Sequence, residues 1–301
     1  MKPIIIFTGA TGLNTVMDPV RIPAQKSGLS DLQVAVNVTI DQSFRTSRRA
    51  GVVKLQDGGF HSLFCDGGDC FVVSGTTMYL MAPDGSIMPI REGLTEGARV
   101  SFAQAGSAVT YYTNGCEMGR VEDGIDGVWG AGVYNGPDTT RLFVGPVPGQ
   151  HIASFYGRML IAQGPVLWWS ELYDYGLYNP AGSFVQFSTK IRMIKSVAGG
   201  CFISTERSTY FLSGANPEAW HLIKVASFSA VEWSDAIEYV EGGDIGMDPG
   251  LCALWASHEG AILGTPGGQI KNLTKDRVIY PGKVKIGFGC LVGYSFIHGM
   301  C

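Results

Sequence analysis

Apolar positions in this chain come in short runs, separated by polar turns rich in glycine. The clearest stretch is 69–90, DCFVVSGTTMYLMAPDGSIMPI. Residues 70–73 are a continuous apolar run, as a strand covered on both faces requires. Ser74-Gly75 interrupts it, and 76–81 is rich in β-branched and aromatic residues. Pro83-Asp84-Gly85 has the turn chemistry of a preset φ followed by a residue that accepts positive φ. The pattern predicts three short antiparallel strands and two turns. Such a meander cannot cover its own faces, so it must be one unit of a larger assembly.

Weaker copies follow. Residues 109–121, 158–170, 201–213 and 251–270 each show an apolar run, a turn and a second run. The runs begin near 70, 109, 159, 201 and 252, and 34–55 fits as one further unit upstream, with Val34, Val36, Val38 and Ile40 on one face. A loose period of roughly 40–50 residues predicts an all-β fold, a β-propeller-like repeat of antiparallel meanders with about five to seven blades. Two packed β domains, sandwiches or small barrels, give similar strand spacing and stay open as the alternative. Val72, Val109, Leu160, Phe202 and Leu254 are expected in inner strands and buried. Residues 1–30 read as an N-terminal arm with a first strand at 4–7, 31–280 as the propeller-like body, and 281–301 as a segment whose fold the pattern does not specify. Residues 216–220 and 229–240 are expected to form short helices.

Composition sharpens this picture. Of 301 residues 42 are glycine, without collagen periodicity, so they are turn residues. Charged residues are only 16%, which suits a chain that hides surface in an assembly. The net charge of −4 argues against a nucleic-acid binder driven by overall charge. No apolar run approaches a membrane helix, so no membrane insertion is expected, and the short run at 4–7 is no export signal. The cysteines, mostly within strand-like runs, read as small buried hydrophobes in a reducing compartment, although Cys65 and Cys70 are close enough in sequence to pair.

Candidate chemistry is sparse. The five histidines have no metal-ligand spacing, there is no nucleophile elbow, and 9–12 lacks the Lys-Ser/Thr pair of a phosphate loop. No enzyme, cofactor or metal is expected, and 244–249 lacks the closing Glu of a calcium loop. Arg45, Arg48 and Arg49 form a basic cluster, either a contact for nucleic acid or an acidic partner, or a charged edge that deters wrong strand pairing. Trp168, Trp169, Tyr173 and Tyr175 are candidate ligand or interface aromatics. They could form a sugar-stacking platform, but adjacent tryptophans on a strand point to opposite faces, which fits core and interface instead. Residues 123–148, rich in Gly, Pro and Asp, read as a linker or protruding loop, and with 168–178 as an assembly surface.

The phrases DPVRIP (18–23), GLSDLQVAVNVTIDQSFRTSRRAGVVKL (28–55), HSLFC (61–65), CFVVSGTTMYLM (70–81), FYGRMLIAQGPVLWWSE (155–171) and TYFLSGANPEAW (209–220) resemble a group of tailed-bacteriophage virion proteins. These are the tail-tip nozzle or head-stabilisation proteins of short-tailed phages. The resemblance extends to about residue 240, and the stretch from Pro281 departs from it. It implies a structural virion protein of the tail, assembled in the host cytoplasm. It further implies a ring, commonly a hexamer, beside neighbouring tail and portal-adaptor proteins, in transient contact with translocating DNA. The alternative implied by the aromatics is a carbohydrate-binding propeller that recognises the host surface.

Overall fold

The computed structural model describes residues 9–22, 29–41, 43–51, 53–66, 68–106, 109–137, 140–241, 249–275, 277–278, 287–292 and 295–300. The expected strand at 4–7 and the segment 244–248 lie outside them.

Two small sheets precede the main body: β1 (Gly9–Leu13) pairs in parallel with β2 (Leu29–Leu32), and β3 (Val38–Ile40) with β4 (Thr46–Arg48) as a hairpin. Five four-stranded antiparallel sheets follow in strict chain order. The first holds β5 (Phe60–Asp66), β6 (Asp69–Ser74), β7 (Thr77–Met81) and β8 (Ile87–Arg91). The second holds β9 (Ser101–Ala105), β10 (Val109–Thr113), β11 (Met118–Glu122) and β12 (Ile125–Gly127). The third holds β13 (His151–Phe155), β14 (Arg158–Gln163), β15 (Val166–Trp169) and β16 (Phe184–Gln186). The fourth holds β17 (Ile191–Val197), β18 (Gly200–Thr205), β19 (Thr209–Ser213) and β20 (His221–Ala226). The fifth holds β21 (Ala236–Val240), β22 (Gly250–Ser257), β23 (Gly260–Gly264) and β24 (Ile270–Asn272). A last hairpin, β25 (Gly287–Val292) and β26 (Ser295–Met300), packs against β21 and β22.

This is a five-bladed β-propeller arrangement. The first strand of each blade is innermost: β9 packs on β5 and β13, and β13 on β17. Two-residue hairpins hold the meanders. Tyr156-Gly157 and Asp123-Gly124 both have positive φ at both positions (42° and 72°, 51° and 75°), the geometry that matches strand twist.

The continuous apolar runs are the second strands, β6, β10, β14, β18 and β22, and not the innermost ones as expected. Their side chains alternate between two neighbouring interfaces. Met159 and Ile161 of β14 join Ala103, Tyr111 and Trp129 on the second-blade side. Leu160 and Ala162 join Ile191, Cys201 and Ile203 on the fourth-blade side. Phe202 meets Ala253, Trp255 and Ile262 between blades four and five, and Phe71 meets Val100, Tyr112 and Val121 between blades one and two. A strand with both faces covered needs an apolar residue at every position, which explains the runs. Val72, Leu160, Phe202 and Leu254 are buried, whereas Val109 opens β10 and is only half-buried. Outer strands are exposed in turn: β20 shows four exposed residues in a row.

Several expectations are corrected. The described residues of 34–55 form no blade: the β3–β4 hairpin is short, and Val34, Val36 and Val38 are exposed. Residues 229–240 form no helix, because the β-branched and aromatic 236–240 pair with β22 as a strand. Only a 3-10 turn forms at Pro217–Ala219, and Asn216 makes no side-chain cap. Cys65 and Cys70 face each other across β5 and β6 and are joined by a disulfide, so Cys70 is not a free buried thiol.

The segment 123–148 is no linker. Its first part is β12, and Trp129, Gly132 and Val144 pair with the aromatic stretch that follows β15. Gly132 N donates to Gly176 O (3.0 Å), Val144 and Tyr178 exchange both backbone bonds (2.9 and 3.0 Å), and Trp129 Nε1 donates to Tyr175 O (2.8 Å).

Leu160 is fully buried in the cluster shared by the third and fourth blades. Leu160→Ala should lower unfolding free energy by about 2–5 kcal/mol, measured by urea denaturation.

Candidate functional site

The first strands converge on an axial cavity of about 410 Å³. Ser62 and Phe64 of β5, Phe102 of β9, His151 of β13 and Lys195 of β17 line it, with Arg99, Trp233 and Asp235 from the loops entering β9 and β21. Small hydroxyls stitch neighbouring blades here. Val100 N donates to Ser62 Oγ (2.9 Å), and Ile152 N donates to Ser101 Oγ (3.0 Å). Ala230 N likewise donates to Ser204 Oγ (2.7 Å).

Charged side chains from three blades meet beside the cavity. Glu232 Oε1 accepts from Lys190 Nζ (3.0 Å) and lies 3.4 Å from His151 Nε2. Lys195 Nζ pairs with Asp235 Oδ2 at 2.6 Å. Burial raises the pKa of the Glu232 carboxyl, but the hydrogen bonds from His151 and Lys190 outweigh it and hold the pKa at about 2. Asp235 is lowered too, burial being overcome by the Lys195 charge and hydrogen bond. Burial and the nearby Arg99 charge lower the pKa of His61, so its imidazole is neutral at neutral pH, with Nδ1 2.8 Å from Ser62 Oγ. The His151 ring packs 4.5 Å from that of Trp233.

The residues singled out in sequence fall elsewhere. Trp168 and Trp169 lie on opposite faces of β15. Trp168 meets Phe184 (5.1 Å), and Trp169 meets Trp220 edge-on (4.8 Å), so they form no joint platform. Tyr175 packs edge-on against Tyr111 (5.5 Å), and Tyr173 alone is exposed, at 76%. Trp169 does reach a polar cleft of about 410 Å³, with Arg141, Arg158, Glu171, Asn179 and Glu218. Arg141 Nη2 bonds Glu171 Oε1 there at 3.0 Å.

Arg45, Arg48 and Arg49 sit on or beside the β3–β4 hairpin, all exposed. Arg45 pairs with Asp41 (3.3 Å), and Arg49 N donates to Asn37 O (2.9 Å). None of the three lines the axial cavity. The hairpin belongs to a segment whose apolar side chains are uncovered: Val20 is 93% exposed, Val36 78% and Val53 86%. This segment is tied to the body by Arg277, whose Nη1 donates to Thr11 O (3.3 Å) and to Asp31 Oδ1 (3.2 Å).

The axial residues span 61–235, and no local motif announces them. The only signal is positional: they stand at or just before the first strand of each blade, and that phase is visible only once the second strands have been recognised.

No family profile matches the chain, and no curated protein matches it by sequence. Solved propeller structures are similar in fold. BBS1N in complex with ARL6DN is 9% identical, with a TM-score of 0.46 over 73% of this chain and 66% of that one, just under two thirds of its length. Virginiamycin B lyase from Staphylococcus aureus is 12% identical, with a TM-score of 0.43 over 72% and 70%. The Pan2 WD40 domain from Neurospora crassa is 10% identical, with a TM-score of 0.46 over 75% and 67%. At these identities and scores the likeness is one of fold alone.

The axial ion pairs give stability a defined pH window. Glu232 titrates at about 2 in the fold against an ordinary 4.5. A depressed folded pKa contributes stability that is complete above the unfolded value and is lost as pH falls through the folded one. Urea midpoints should therefore drop between pH 4.5 and 2. Glu232→Gln should remove much of that slope and lower stability at neutral pH.

Proposed function

We propose that the chain is a structural subunit of a short-tailed phage tail, working as a homo-oligomeric ring, a hexamer by the resemblance, next to other tail and portal-adaptor proteins. The observation that carries this reading is the segment ahead of the first blade. Val16, Val20, Val34, Val36, Val53 and Leu55 each present an apolar side chain to solvent ahead of the first blade. A lone subunit would gain by covering them, and exposed large apolar side chains gathered in one segment mark a candidate interaction site. The occupant proposed is a second copy of this chain. Low charge across the whole molecule fits the same use.

The reading also fixes where DNA would pass. The axis of the propeller holds a cavity of about 410 Å³ bounded by packed side chains, too small for a duplex whose major groove alone is about 12 Å wide. The conduit must then lie at the centre of the ring, between subunits. In that arrangement Arg45, Arg48 and Arg49 face a neighbour or solvent, because cations on the wall would bind phosphates and slow the passage of DNA. Localisation follows as virion tail, with assembly in the host cytoplasm.

Sedimentation and electron microscopy of the purified protein test this. A ring is expected, and Val34→Asp with Val36→Asp and Val53→Asp should give folded monomers, since these side chains have no packing to lose. A strict monomer with the native segment at tens of micromolar overturns the reading.

A second reading is favoured by the cleft at Trp169, where one partly exposed indole meets Arg141, Asn179 and Glu218. An aromatic face with convergent hydrogen-bonding groups is what a sugar ring needs. Glycan-array binding should then fall in Arg141→Gln or Glu218→Gln. Binding unchanged in both variants, or none by the native chain, removes it.

A further inference from the structure

The axial cavity has a composition that ring assembly does not require. Lys190 and Lys195 are matched by Glu232 and Asp235. Arg99 is not: its Nη1 donates to Gly287 O (2.8 Å), and no carboxylate lies within ion-pair distance of it among the described residues. The cavity therefore carries one unmatched guanidinium. Phe102 and Trp233 line the same space, so its wall is apolar as well as cationic. Two of its lining residues, Ser62 (φ 56°) and Trp233 (φ 69°), hold left-handed backbone conformations that bulky or polar non-glycine residues rarely adopt. Strained residues persist where the surroundings over-determine them, and they cluster at ligand sites.

We propose that the axial cavity binds a small organic anion, a single carboxylate carried on an aromatic or other apolar group. The carboxylate sits against the Arg99 guanidinium and the apolar part against Phe102 and Trp233. A planar guanidinium favours a carboxylate through two parallel charge-assisted hydrogen bonds. The volume of about 410 Å³ falls at the small end of ligand pockets, about 300–1,000 Å³, and suits one substituted ring. Specificity follows from the neighbours. A cation would meet Arg99 and Lys195, and a dianion would bring its second charge toward Asp235. Neutral His61 adds a hydrogen bond without adding charge.

The test is isothermal titration of the intact protein with benzoate, benzamide and benzylamine, three probes of one shape and different charge. Saturable one-to-one binding of benzoate is expected, at least about tenfold tighter than benzamide, the scale of one charge-assisted hydrogen bond. Arg99→Gln should weaken benzoate by about tenfold or more and leave benzamide unchanged, while Arg99→Lys should keep the preference for benzoate. Equal binding of benzoate and benzamide overturns the proposal, as does no saturation by benzoate or unchanged benzoate affinity in Arg99→Gln. Should Arg99→Gln fail to fold, the benzoate-to-benzamide ratio in the native protein and in Arg99→Lys decides. Oligomeric mass is read separately, so the ring and the ligand site stand or fall independently.

Discussion

Every blade in this protein depends on its neighbours, because its second strand has no solvent face. Leu160 belongs to one interface and Ile161, the next residue, to another. The same division separates Cys201 from Phe202 and Tyr111 from Tyr112. A single meander excised from the ring would expose a sheet apolar on both sides. Burial is therefore cooperative around the ring, and the outer strands, which touch one neighbour or none, can vary freely. The fifth blade shows the limit of the rule. Among the described residues its far face holds a small cluster of Cys252, Leu254 and Leu263, and the β25–β26 hairpin packs against β21 and β22.

Apolar burial alone would leave the inner strands free to slide, since alternation fixes which face is buried but not the height of one blade against the next. Polar contacts near the axis supply that height. Each Ser-to-backbone bond joins one blade to the next at a single register, and Glu232 joins three blades through Lys190 and His151. Ion pairs out of water contribute little net stability against their desolvation. Their effect here is positional, and among the described residues they leave the Arg99 charge facing the cavity without a carboxylate partner.

The repeat was legible in the sequence because a doubly covered strand needs an unbroken apolar run, and such runs at 70, 109, 159, 201 and 252 fall in the five second strands. The innermost strands were not legible. β17 alternates Ile191, Met193 and Ile194 with Arg192 and Lys195, a pattern no different from that of an ordinary half-buried strand. The 34–55 stretch misled for the opposite reason: Val34, Val36 and Val38 alternate as a core-facing strand does, yet they face outward. Alternation reports that one face is apolar, not what covers it. The tryptophans followed the period-two rule, which sends Trp168 and Trp169 to opposite faces. The axial set stayed hidden because its members are brought together only by closing the ring.

Native-state hydrogen exchange across all five blades tests the central claim, that the blades form one cooperative ring and not two packed domains. The account predicts that amides of β6, β10, β14, β18 and β22 exchange only through global unfolding, with one common free energy, while β8, β16 and β20 open locally and sooner. Second strands of the first two blades exchanging together at a clearly lower free energy than those of the last three would contradict it.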